Sequence, residues 1–172
     1  MSRRDPGRAR VVLLMGVCGS GKTTLGRILA TRLGWIFLDA DDLHSPEARA
    51  EMTAGRPLDD TVRTQWIDRV GLSVKASLER SESVVLACSA LRANHRRALA
   101  TAACDDLTIA HLQGSTVLIA ERLRKRQGHF AGVSLLATQV ETLESPRGVL
   151  ELDISCSPEV LVDQLLRELE IG

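Results

Sequence analysis

Residues Gly16-Val17-Cys18-Gly19-Ser20-Gly21-Lys22-Thr23 follow the spacing G-x-x-x-x-G-K-[ST]. Each residue type has a task in holding a polyphosphate. The glycines allow a tight turn that aims backbone N–H groups at an anion. A helix starting near Lys22 adds its positive N-terminal end. The ammonium of Lys22 can reach the β- and γ-phosphates, and the Thr23 hydroxyl can ligate Mg²⁺. Gly16, Cys18, Gly19, Ser20, Gly21, Lys22, Thr23 and Thr24 are therefore the candidate nucleotide contacts, with ATP and Mg²⁺ as the implied cofactors. Cys18 reads as a small filler of the turn, not as a nucleophile. The chain has only three lysines, and one stands at the required position.

A second group of reactive side chains follows in Leu38-Asp39-Ala40-Asp41-Asp42. If the strand runs on, Asp39 and Asp41 project to one side, at the carboxyl edge where open α/β sheets bind ligands. One carboxylate can hold a metal and the other can accept a proton from an attacking hydroxyl. Asp42 reads as a helix cap ahead of "LHSPEA".

These groups need a scaffold, and the apolar pattern predicts one. Val11–Met15, Trp35–Leu38, Val84–Cys88, Leu107–Leu112 and Val149–Ile154 read as strands, the first three as runs buried on both faces. Helices are expected over Lys22–Leu33, Pro46–Thr53, Thr61–Leu78, Arg92–Ala103, Thr116–Gln127 and Leu135–Leu143. A last one begins at "SPEV", with Ser157 as cap and Pro158 in the first turn. Regular alternation implies an α/β three-layer fold on a mostly parallel five-stranded sheet. At 172 residues the chain fits a single domain, 1–172, with residues 1–10 as a leader. The segment Lys125–Ser134, cationic and interrupted by Gly128 and Gly132, reads as a mobile excursion.

Composition narrows the partners. The 22 basic and 22 acidic residues cancel, which argues against nucleic acid. Two Trp and two Phe make no stacking platform for single strands. No apolar run is long enough for a membrane span. With no export signal recognised, Cys18, Cys88, Cys104 and Cys156 are expected as thiols in a reducing cytoplasm. The four histidines lack zinc-site spacing.

The phosphate loop, "FLDADDLHSP", "AGRPLDD", "CSALR", "RLRKRQGHF" and "LLATQVETLESP" occur in that order. From Val11 to about Pro146 the chain resembles the small gluconate kinases of the shikimate-kinase and adenylate-kinase branch of P-loop NTPases. The resemblance implies ATP-dependent phosphorylation of D-gluconate to 6-phospho-D-gluconate, with a sugar acid as the small-molecule partner. It implies Asp41 as the base and Asp39, with Thr23, as metal support. His44, Arg63 and Trp66 would line the acceptor pocket, joined by Ser89 and Arg92. Residues 122–134 would form a lid, in which Arg122, Arg126 and His129 close over the phosphates. Arg126 is the candidate catalytic cation of that lid. Gln139 belongs to a matching segment, and the resemblance admits a homodimer.

Several of these residues have a structural reading as well. Trp66 fits core packing as well as a pocket wall, and His44 fits a helix N-terminal partner. Arg122, Arg124 and Arg126 cannot all face one way along a helix. His95 and His111 read as structural. On the acceptor side the family's Asn and Lys are replaced by Ala48 and Glu51, and an Asp and a Pro by Val62 and Gln65. The simpler placement of Glu51 is on the solvent side of its helix. The alternatives to gluconate phosphorylation are a related kinase, such as one for shikimate, and a nucleotide-binding sensor without turnover.

Overall fold

The computed structural model describes residues 9–104, 106–125 and 130–169, with side chains omitted at 130–134. Five strands form one sheet: β1 (Val11–Met15), β2 (Ile36–Asp39), β3 (Val84–Ala87), β4 (Leu107–Gln113) and β5 (Leu150–Asp153). Their order is β2-β3-β1-β4-β5, and every pairing is parallel. All carboxyl ends therefore lie on one edge, with β1 in the centre.

Seven helices fill the connections among the described residues: α1 (Lys22–Leu33), α2 (Pro46–Thr53), α3 (Asp60–Glu79), α4 (Ala93–Ala102), α5 (Thr116–Lys125), α6 (Phe130–Thr142) and α7 (Pro158–Glu168). The alternation of β1 divides the core. Val12 and Leu14 face a cluster with Leu25 and Leu29 of α1 and Val162 and Leu165 of α7. Val11, Leu13 and Met15 face Ile67, Val70 and Val74 of α3 and Leu99 of α4. This is the expected three-layer arrangement, with β1 buried on both sides. Among the described residues no helix is long and apolar enough to cross a membrane.

Some boundaries differ from the sequence reading for identifiable reasons. Trp35 is not in β2. Gly34 adopts a left-handed conformation (φ 66°) at the end of α1, and the Trp35 N–H returns to the Ala30 carbonyl at 3.0 Å. The strand starts one residue later and includes Asp39. Gly132 does not break a helix: α6 begins at Phe130, five residues before the expected start. The Arg92 expected inside α4 is its N-cap. Ser157 does cap α7, accepting from the Val160 N–H.

Candidate active site

The phosphate loop joins the carboxyl end of β1 to α1. Gly16 has φ 146°, and a Cβ there would lie 2.9 Å from the Leu112 carbonyl oxygen and 3.0 Å from Ser20 Oγ. Only glycine fits so close an approach. At the other end, Gly21 is the N-cap of α1 with φ 100°, and no side chain caps the helix. The first N–H groups of α1 are thus left for an external acceptor. Ser20 is 1% exposed, and its Oγ has no hydrogen-bond partner. An unsatisfied buried hydroxyl in this cradle fits a phosphate oxygen. Lys22 Nζ lies over the loop, donating to the carbonyls of Gly16 and Val17 at 2.9 Å each. Burial holds its pKa below the usual lysine value, with the charge of Asp41 opposing that shift.

The acids reach this cradle by a route the strand alternation did not foresee. Only Asp39 belongs to β2; Asp41 lies in a short 3₁₀ turn, Ala40–Leu43. Asp39 caps that turn, its Oδ1 accepting the Asp41 N–H at 3.2 Å, while its Oδ2 accepts the Thr23 hydroxyl at 2.9 Å. A carboxylate and a hydroxyl in direct contact beside a phosphate cradle are a donor set that would suit Mg²⁺. The Asp41 carboxyl is reached by solvent yet closely surrounded by protein. Desolvation raises its pKa, with Lys22 opposing and Asp39 and Asp42 reinforcing. A carboxylate so raised is the stronger base. Asp42 caps no helix: Ser45 caps α2 instead, through the Ala48 N–H.

Trp66 ties the acid turn to α3. Its indole N–H donates to the Ala40 carbonyl at 2.7 Å, between the two key carboxylates. The ring is 5% exposed and stacks on His44 at 4.4 Å between centroids. Trp66 is therefore a brace of the core more than an open pocket wall. Burial, with Arg69 and Arg49 nearby, lowers the His44 pKa to about 4. The imidazole is neutral at physiological pH and brings no positive charge for an acid. Its buried Nδ1 has no hydrogen-bond partner among the described residues.

Positive charge comes from Arg63 and Arg92. Arg63 lies one helical turn before Trp66, and Arg92 follows the Ser89 segment at the exit of β3. The Ser89 carbonyl accepts the Gly16 N–H at 3.4 Å, which joins this segment to the cradle. Both guanidinium groups converge on Asp60, Arg92 Nη1 at 2.7 Å and Arg63 Nη1 at 3.9 Å. His95 and His111 are buried, and desolvation lowers both pKa values. Glu51 makes an ion pair with Arg56 at the surface, Arg56 Nη2 donating to its Oε1 at 2.7 Å. That agrees with its expected solvent-side placement.

On the opposite flank of the cradle a cleft of about 320 Å³ is lined by Gly19, Ser20, Gly21, Thr24, Arg122 and, from the β5–α7 side, Ile154 and Pro158. Arg122 stands beside the loop, its Nη1 3.9 Å from where a Cβ on Gly21 would lie. Its Nη2 donates to the Ile154 carbonyl at 2.6 Å, making it a wall of this cleft. Arg124 points to solvent. Arg126 and His129 lie outside the described residues. Two contacts escaped the sequence reading. Gln139 of α6 accepts the Cys18 N–H at 2.6 Å, and Asp60 gathers the two arginines. Gln139 lies within a motif of the sequence, but motif membership does not disclose a contact.

A family model described as an AAA domain matches residues 11–146. Gluconokinase from Gluconobacter oxydans is 38% identical, covering 95% of this chain and 93% of that protein. The chain belongs to the gluconokinase family. Gluconokinase from Arabidopsis thaliana is 35% identical over 96% of this chain and 95% of its own length. A crystal structure of a gluconokinase from Sinorhizobium meliloti 1021 superposes with a TM-score of 0.84 at 38% identity, covering 95% of this chain and 93% of that one. Family membership thus covers the cradle, the acid turn and the arginine pair together, and makes the chain a kinase acting on an alcohol group.

Proposed function

We propose that this chain transfers the γ-phosphoryl group of ATP to D-gluconate, giving 6-phospho-D-gluconate. The observation that carries this reading is the junction of the two halves of the site, where Thr23 of the cradle meets Asp39 of the acid turn at 2.9 Å. The cradle N–H groups and Lys22 hold the triphosphate. Thr23 and Asp39 would hold Mg²⁺, whose charge would neutralise the phosphate oxygens. Arg63 and Arg92 hold the sugar-acid carboxylate, and Asp41 accepts the proton of the attacking hydroxyl. Catalysis then comes from positioning and charge stabilisation. The cleft beside Arg122 and Ile154 takes the nucleoside. One domain performs the whole reaction, with residues around 122–134 as its lid and the cytoplasm as its compartment. Assembly as a homodimer is compatible with this reading.

Release of ADP, measured with and without sugar acids, tests the proposal. Gluconate is expected to stimulate release and shikimate is not. Tight ATP binding with no acceptor-stimulated turnover would make the chain a sensor instead.

The acceptor side makes a sharper prediction. Glu51 is engaged by Arg56 at the surface, so Glu51→Lys is expected to leave the gluconate KM nearly unchanged. Arg63→Ala is expected to raise it by tenfold or more, on the order of one lost charge-assisted contact. A large fall in KM for Glu51→Lys would place Glu51 in the pocket and favour a neutral or cationic polyol as acceptor.

A further inference from the structure

We propose that Asp60 sets the net charge of the acceptor pocket and thereby selects acids that carry a single negative charge. The inference deepens the reading above, since it rests on Arg63 and Arg92 as the acid-binding residues.

Asp60 opens α3, and the neighbouring Asp59 caps that helix through the Val62 N–H. The position of the Asp60 carboxylate is therefore fixed by the helix start without its having to serve as the cap. A single oxygen, Oδ1, meets Arg92 Nη1 at 2.7 Å and Arg63 Nη1 at 3.9 Å. The arginine side chains are only 29% and 26% exposed, whereas Asp60 is 72% exposed. Two half-buried guanidinium groups drawn to one point repel each other, and water screens them incompletely. The exposed carboxylate offsets one of the two charges.

Among the described residues, the other charged groups beside the two arginines leave this balance unchanged. His95, close to both arginines, has its charged form disfavoured by burial and by their charge. The Glu144 carboxylate accepts the Ala93 N–H at 2.7 Å, and Arg96 Nη2 donates to the Glu144 carbonyl at 2.8 Å. Their opposite charges cancel at the start of α4. One positive charge remains, which matches one carboxylate. An acid with a carboxylate at each end brings a second negative charge that meets Asp39 and Asp41 at the far end and adds to the repulsion by Asp60 at the near one.

The test uses the full chain, titrated calorimetrically without nucleotide against three six-carbon ligands. These are gluconate, the dianion glucarate and the neutral polyol glucitol. Asp60→Asn is expected to shift the ratio of glucarate to gluconate affinity toward the dianion by about tenfold, the scale of one unit-charge interaction at a partly exposed site. Asp60→Glu should restore the original ratio. Added salt should shrink the shift, and glucitol should respond to neither variant. Circular dichroism checks that each variant is folded. If both acids weaken together and their ratio stays fixed, Asp60 merely braces Arg92 and the proposal is overturned. If the unaltered chain binds neither acid, the acid-binding reading and the proposal fall together.

Discussion

Lys22→Ala is expected to leave a folded protein whose turnover has dropped by at least 10²–10³-fold, roughly the effect of removing one preorganised donor from a developing charge. The structural reason is local. Among the described residues the Lys22 ammonium donates to the backbone carbonyls of Gly16 and Val17, within the loop it serves. Truncation removes these bonds but opens no gap in either face of the core. Initial rates at saturating ATP and gluconate, with thermal denaturation as the folding control, measure the effect. Near-native turnover in this variant would remove the phosphate-loop assignment.

The two acids should fail differently. Asp39→Asn retains an oxygen that can still cap the 3₁₀ turn, so its defect is weaker metal support, and raised Mg²⁺ should recover part of the rate. Asp41→Asn should lose turnover and recover nothing, because an amide cannot take the hydroxyl proton. Identical Mg²⁺ responses would contradict this division of roles.

Asp41 also makes a pH prediction. Its folded pKa is raised above the ordinary aspartate value, chiefly by desolvation. A base must be ionised to act, so the acid limb of kcat/KM should lie above the ordinary carboxylate range. The stability consequence has the opposite sense. A carboxyl with a raised folded pKa contributes stability below its unfolded pKa and loses it as pH rises through the folded value. At pH 7, Asp41→Asn should therefore melt at a higher temperature than the unaltered chain. That difference should disappear below the ordinary aspartate range. A variant that is less active and more stable would mark Asp41 as a group retained for chemistry at the expense of the fold.

Different parts of the molecule were legible to different degrees. The cradle was readable because its eight residues are contiguous and their chemistry is set by local backbone shape. The three-layer sheet was readable because apolar runs of strand length alternate with helical periods. Asp39 and Asp41 were correctly brought to one place, but by the wrong geometry. The chain leaves β2 at Asp39, and the following 3₁₀ turn, tied by Trp66 to α3, sets where Asp41 sits. Trp35 was misplaced by one residue because the left-handed Gly34 delays the strand. The role of Asp60 could not be read, because it depends on Arg92, which reaches it from another strand–helix connection. The contact of Gln139 with Cys18 is likewise a product of tertiary approach, across a sequence separation of 121.

The position of β1 has a consequence for how the molecule comes into being. Its partners are residues 84–87 of β3 and residues 107–111 of β4, so a ribosome that has just released the cradle sequence has made neither. The cradle is synthesised before both of its partner strands and acquires its shape only after them. Distant pairings of this kind are slow because loop closure precedes their reward. Until Ala87 has emerged, the segment Val11–Met15 is an unpaired apolar run of high strand propensity, the kind of segment that chaperones shield and aggregates recruit. Mutations that slow the docking of β3 or β4 would then lower the yield of soluble protein while leaving the specific activity of the surviving molecules intact.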